Sequence, residues 1–153
     1  MNRLYTFSIA LLVSFAAMTT TATVFAKDDG RTVIELTEDE RNLVLEEMRT
    51  FLDTVRSISV SLSKDDMESI AVSAKKVGMA ASGEVPPALM NKLPKEFKML
   101  AMTVHKSFDQ IALDATDLGD RQQALEQLGA LMANCVTCHA IYKLETNSKL
   151  EMK

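Results

Sequence analysis

Residues 124–143, ALEQLGALMANCVTCHAIYK, decide how this chain is expected to fold. Asp120 stands ahead of the stretch as a helix N-cap, and Leu125, Leu128, Met132, Cys135, His139 and Tyr142 then recur at alternating steps of three and four, with Leu131 and Cys138 alongside. That spacing puts all eight on one face of a helix, with the cysteines pointing inward among leucines. So long an apolar face needs other helices to cover it.

Three more helices can be read upstream. Residues 37–62 open on a capping box, Thr37 with Glu40, and Val44, Met48, Phe51, Val55, Ile58 and Leu62 form the seam of a bundle helix. Ser63 with Asp66 gives a second capping signal, after which Met67, Ile70, Ala71, Ala74 and Val77 carry a helix to about residue 81, weakened by Gly78. Ser82 to Pro87 reads as a loop, Pro94 suits the first turn of the next helix, and Phe97, Leu100, Ala101, Val104, Phe108, Ile111 and Ala115 stripe that helix to Gly119. There is no repeat and no alternating strand pattern. The expected fold is all-α, an antiparallel up-down-up-down four-helix bundle.

The composition supports one compact helical domain: 153 residues, 47% hydrophobic, 25% charged, with five Gly and three Pro. A net charge of −4 excludes a nucleic-acid or polybasic membrane surface, which would need clustered Lys and Arg. Residues 1–26 have a different character. Arg3, the apolar run Leu4 to Met18, and Val24-Phe25-Ala26 make the n-region, h-region and cleavage site of a secretory signal. Thr19 to Thr23 break the run short of the roughly 20 residues a spanning helix needs. The expected mature domain is 27–153, soluble, exported and periplasmic.

Both cysteines and one of the two histidines lie within residues 135–139. Two cysteines separated by two residues suit redox exchange, zinc or covalent haem. A redox dithiol belongs at a helix N-terminus, where the dipole lowers the thiol pKa, whereas this pair falls late in its helix. Structural zinc needs four ligands, and only the distant His105 could supply the fourth. Haem attachment uses every feature: two thiols one helical turn apart for the vinyl groups, and His139 placed to reach the iron. Export agrees, since a covalent bond protects thiols in an oxidising compartment.

A late Cys-Val-Thr-Cys-His followed by Ala-Ile-Tyr-Lys, in the last helix of a bundle behind a signal segment, resembles the class II c-type cytochromes, the cytochrome c′ group. That family is similar in carrying Cys-x-x-Cys-His-x-x-Tyr-Arg or variants at its C-terminal helix. The resemblance implies one covalent haem c per chain on Cys135 and Cys138, with His139 as axial ligand. It extends to the first helix, where Arg41 seven residues before Met48 looks like the family's haem-facing stretch, Arg41 reaching a propionate. Lys143 stands where the family usually has Arg, keeping the charge but not the planar fork. The resemblance also implies a homodimer through the first two helices.

The occupant of the position opposite His139 separates two functions. A thioether there favours electron transfer; an apolar lid leaves the iron open to a small gas. Met48 is the natural ligand, because the first helix of an antiparallel bundle lies beside the fourth. Leu45 is the alternative lid, one turn away. Met79, read as plugging a bundle end, and His105, read as half-exposed, are reserves. The expectation is a soluble electron carrier with transient redox partners; the alternative is a five-coordinate protein binding NO or CO. With one histidine assigned to iron and the acidic residues on outward faces, no catalytic set remains for an enzyme.

Overall fold

The computed structural model describes residues 29–147; the expected signal segment, 1–26, and the mature start at Lys27 lie outside them. The described chain is mostly helical, with five α-helices and one small two-stranded sheet.

The first long helix, α1 (Glu38–Ser63), begins where its capping box places it: Thr37 Oγ1 accepts the Glu40 N–H at 3.2 Å, and Glu40 Oε2 accepts the Thr37 N–H at 2.9 Å. Glu40 also receives Lys92 Nζ at 2.7 Å, so the cap is tied to a distant segment. Asp65, at φ 57°, turns the chain in the left-handed region, and Asp66 caps α2 (Met67–Lys75) by accepting the Ser69 N–H at 3.0 Å. Ser63 is the last residue of α1, and its hydroxyl bonds back to the Val60 carbonyl instead of starting the next helix.

The second helix is shorter than its apolar spacing predicts, stopping at Lys75 and not near 81. Asp109 explains the stop. Its carboxylate accepts the Met79 N–H at 2.8 Å, and its tip fills the space a Cβ on Gly78 would occupy. The connection also holds more order than its composition suggests, with a 3-10 turn at Ala81–Glu84 and α3 (Pro87–Lys92), which has proline at its first position. Gly78→Ala should push the Asp109 carboxylate off Met79 and strand that N–H, costing about 1–3 kcal/mol. A melting curve of the variant checks this.

Pro94 precedes α4 (Lys95–Asp117), and Gly119, at φ 62°, reverses the chain before Asp120 caps α5 (Arg121–Ile141) by accepting the N–H groups of Gln122 and Gln123. Packing runs in a ring: α1 on α2, α2 on α4, α4 on α5, and α5 back on α1. Asp114 of α4 gathers amide donors from Gln110, Gln123 and Gln127, stapling α4 to α5. These hydrogen bonds hold its carboxyl below the usual range, Gln110 contributing most.

Two strands occur where none was expected. β1 (Thr32–Leu36) and β2 (Tyr142–Thr146) pair in parallel, Thr32 opposite Tyr142 and Leu36 opposite Thr146. The strand leading into α1 is thereby joined to the one leaving α5. Ile34 and Leu36 are buried while Glu35 between them is exposed, a half-buried strand's alternation. The core has two parts. One gathers Phe51, Ile58, Ile70, Phe108, Ile111 and Leu131; the other gathers Ile34, Leu36, Val44, Leu89, Leu93 and Phe97.

Candidate haem-attachment site

Cys135 and Cys138 lie in the last two turns of α5, one turn apart, and neither forms a disulfide. Both are half-buried, and desolvation raises both thiols above their ordinary pKa, so they are held neutral. They sit at the junction of the two core parts: Cys135 packs against the first and Cys138 against the second. The helix continues to Ile141, which leaves His139 exposed, and its imidazole has no hydrogen-bond partner among the described residues. The expectation that the whole motif faces inward therefore needs correction. Leu125 and Met132 are exposed too, because the buried stripe of α5 runs through Ala124, Leu128 and Leu131, a face rotated from the expected one. Tyr142 has left the helix for β2, where its ring meets Phe97 edge-on at 5.4 Å.

Opposite the cysteines stands α1. Met48 is half-buried and packs on the same part of the core as Cys135; Val44, one turn earlier, belongs to the part that receives Cys138. Arg41 and Leu45 share that side of α1 and are also half-buried. The Arg41 guanidinium has no carboxylate or hydrogen-bond partner among the described residues. A half-buried cation left unpaired is unusual, and it lies two turns before Met48. Lys143 differs: it is in β2, with Glu145 at 2.9 Å and Asp29 at 3.8 Å. Asp29 in turn holds Arg31, whose Nη1 approaches the His139 carbonyl oxygen at 3.5 Å. That small charged cluster at the end of α5 was not foreseen; the run Asp28-Asp29-Gly30-Arg31 was its only trace in sequence.

The donor set fits a covalently held haem in its chemistry. Two free thiols at the required spacing, an imidazole with both nitrogens unspent, a thioether on the facing helix and an unpaired guanidinium are the groups it needs. Among the described residues there is no cluster of three or more His, Cys, Asp or Glu side chains placed to hold a metal ion.

His105 is not half-exposed as expected but buried in α4. Its Nδ1 lies 2.8 Å from the Val77 carbonyl oxygen and its Nε2 lies 3.3 Å from Glu47 Oε1, with the Phe51 ring edge-on at 5.1 Å. Both ring nitrogens are engaged, so neither is free for iron. Met79 is half-buried, and its backbone N–H is held by Asp109 of α4.

Glu47, chiefly by its hydrogen bond, raises the His105 pKa above 6.5, outweighing the opposing effect of burial. A pKa raised on folding stabilises the fold fully below the unfolded value of 6.5, and that contribution fades as pH climbs through the raised folded value. The wild type should therefore lose stability across that range relative to His105→Gln, whose melting temperature should vary less with pH. Parallel melts from pH ~5.5 to ~8.5 test this.

No family model, curated protein or solved structure matches the chain.

Proposed function

We propose that this chain is an exported c-type cytochrome which carries single electrons between transient protein partners in the periplasm. The observation that carries the reading is the pair of free, half-buried thiols at Cys135 and Cys138, followed by the unpartnered imidazole of His139. In this reading the ring of contacts among α1, α2, α4 and α5 is an antiparallel four-helix bundle, with the short α3 bridging its longest connection.

Haem c supplies a one-electron couple when bound; the chain's part is to hold and tune it. Cys135 and Cys138 would fix it by thioethers, their burial keeping the thiols neutral until they are consumed. His139 and Met48 would hold its iron, and a thioether among the iron's ligands favours the reduced state. Arg41 would hold a propionate, which accounts for its unpaired guanidinium. Lys143 would act through the charged cluster it forms with Asp29 and Glu145. The carrier is not an enzyme, and a homodimer through α1 and α2 is part of the proposal. No helix among the described residues is long and apolar enough to cross a membrane.

The half-buried Leu45, beside Met48, supports a second reading, in which an apolar lid leaves the iron open to NO or CO. Expression of the full chain with a c-type maturation system tests the attachment common to both. The product should gain the mass of one haem and stay coloured after denaturation. A colourless chain would end both readings.

A further inference from the structure

A cavity of about 520 Å³ opens between α1, α4 and the connection from Lys76 to Leu93. It exists because α2 stops at Lys75, and the 3-10 turn and α3 span the gap without filling it. Val44, Phe51, Leu89, Met90, Leu93 and Phe97 make its walls largely apolar. The motif cysteines, His139, Arg41 and Met48 do not line it.

We propose that this cavity binds a small apolar carboxylate, such as a medium-chain fatty acid, whose head group takes the place of Glu47 against His105. The imidazole is 3% exposed and lines the cavity. Its Nδ1 is fixed by the Val77 carbonyl at 2.8 Å, which leaves Nε2 as the group presented to a carboxylate. Glu47 now occupies that place at 3.3 Å, a long contact for a charge-assisted hydrogen bond, and its side chain is 31% exposed. It can therefore swing into water at small cost, whereas His105 cannot follow. The internal carboxylate marks the place of an external one.

Charge around the cavity selects the same ligand. Lys76 and Lys98 face Glu46 and Glu47, two cations against two anions, with the His105 ring among them, in a chain whose net charge is −4. With Glu47 displaced the balance becomes more positive, so an anion gains and an ammonium head loses. An alkyl chain of about eight to ten carbons fits the volume and the apolar walls, whose methionines adapt to its shape. The proposal does not depend on haem attachment.

Calorimetric titration of the purified full chain with decanoate, decanol and decyltrimethylammonium, all below micelle-forming concentrations, tests it. One decanoate should bind per chain, decanol about tenfold more weakly and the ammonium compound not measurably. Glu47→Gln should tighten decanoate by about threefold or more by removing the internal competitor. Ala101→Phe, which adds a ring to a half-buried wall position, should abolish binding while the far-UV spectrum stays helical. If that variant unfolds, the Glu47→Gln arm alone decides. Equal binding of decanol and decanoate, weaker decanoate binding in Glu47→Gln, or no decanoate binding at all would overturn the proposal.

Discussion

Cys135→Ala combined with Cys138→Ala will leave a c-type maturation system as a colourless chain with a native far-UV spectrum. Both parts of that result follow from where the thiols sit. They are the only cysteines of the chain, so no other sulfur can make a thioether. Both are half-buried at the rim of the core, so removing each sulfur costs about 1 kcal/mol or less, well below a full cavity in the interior. The helix that carries them is held elsewhere, by Leu128 and Leu131 in the core and by Gln123 and Gln127 on Asp114. In the reading proposed above, the fold therefore survives while attachment is lost completely. A single variant at either position should keep haem through one thioether, with an altered reduced spectrum. Mass spectrometry of the denatured chain separates the three cases. A double variant that still holds haem after denaturation would refute covalent attachment through this motif.

Helix positions were legible in the sequence wherever a cap and a stripe agreed. Thr37 with Glu40 and Asp120 before Leu125 each mark a start that the hydrogen bonds reproduce. Boundaries failed where a distant residue decided them. Nothing within residues 67–81 announces that Asp109, 30 residues on from Met79, will take its N–H and end α2. The strands were hidden for a related reason. Val-Ile-Glu-Leu at 33–36 does alternate, but one short strand is not stable alone, and its partner follows the motif helix more than a hundred residues later. His105 illustrates the third kind of loss. Its stripe position put it at the edge of α4, and only the folded chain shows that Val77 and Glu47 converge on it. The pentapeptide keeps its local spacing because α5 runs through it, but His139 is exposed and not on the inward face that the stripe predicted.

Met48→Ala should change the coordination state of the loaded protein and leave its fold in place. In the reading proposed above, the wild type is low-spin when oxidised, shows a weak near-infrared band from the thioether, and binds carbon monoxide slowly when reduced. The variant should be high-spin, lower in potential, and faster by about tenfold or more in taking up carbon monoxide. The structure makes this a discriminating test. Met48 and Met67 both pack on the part of the core that receives Cys135, and of the two only Met48 lies on α1, one turn from the Val44 that shares the other part of the core with Cys138. Met79 instead lines the cavity that the motif residues do not line, and His105 has both nitrogens engaged. Met79→Ala and His105→Ala should therefore leave the spectrum unchanged, although His105→Ala leaves Glu47 and the Val77 carbonyl without their partner and should lower the melting temperature. The loss of packing at Met48 itself should cost about 1–2 kcal/mol, because the side chain is only half-buried. Met48→Leu separates packing from ligation, since it restores volume without sulfur. If ligation is the role, this variant matches Met48→Ala in spectrum and the wild type in stability. A wild type that is already high-spin and takes up carbon monoxide freely would assign Met48 to the core and Leu45 to the lid, and the function would pass from electron transfer to gas binding.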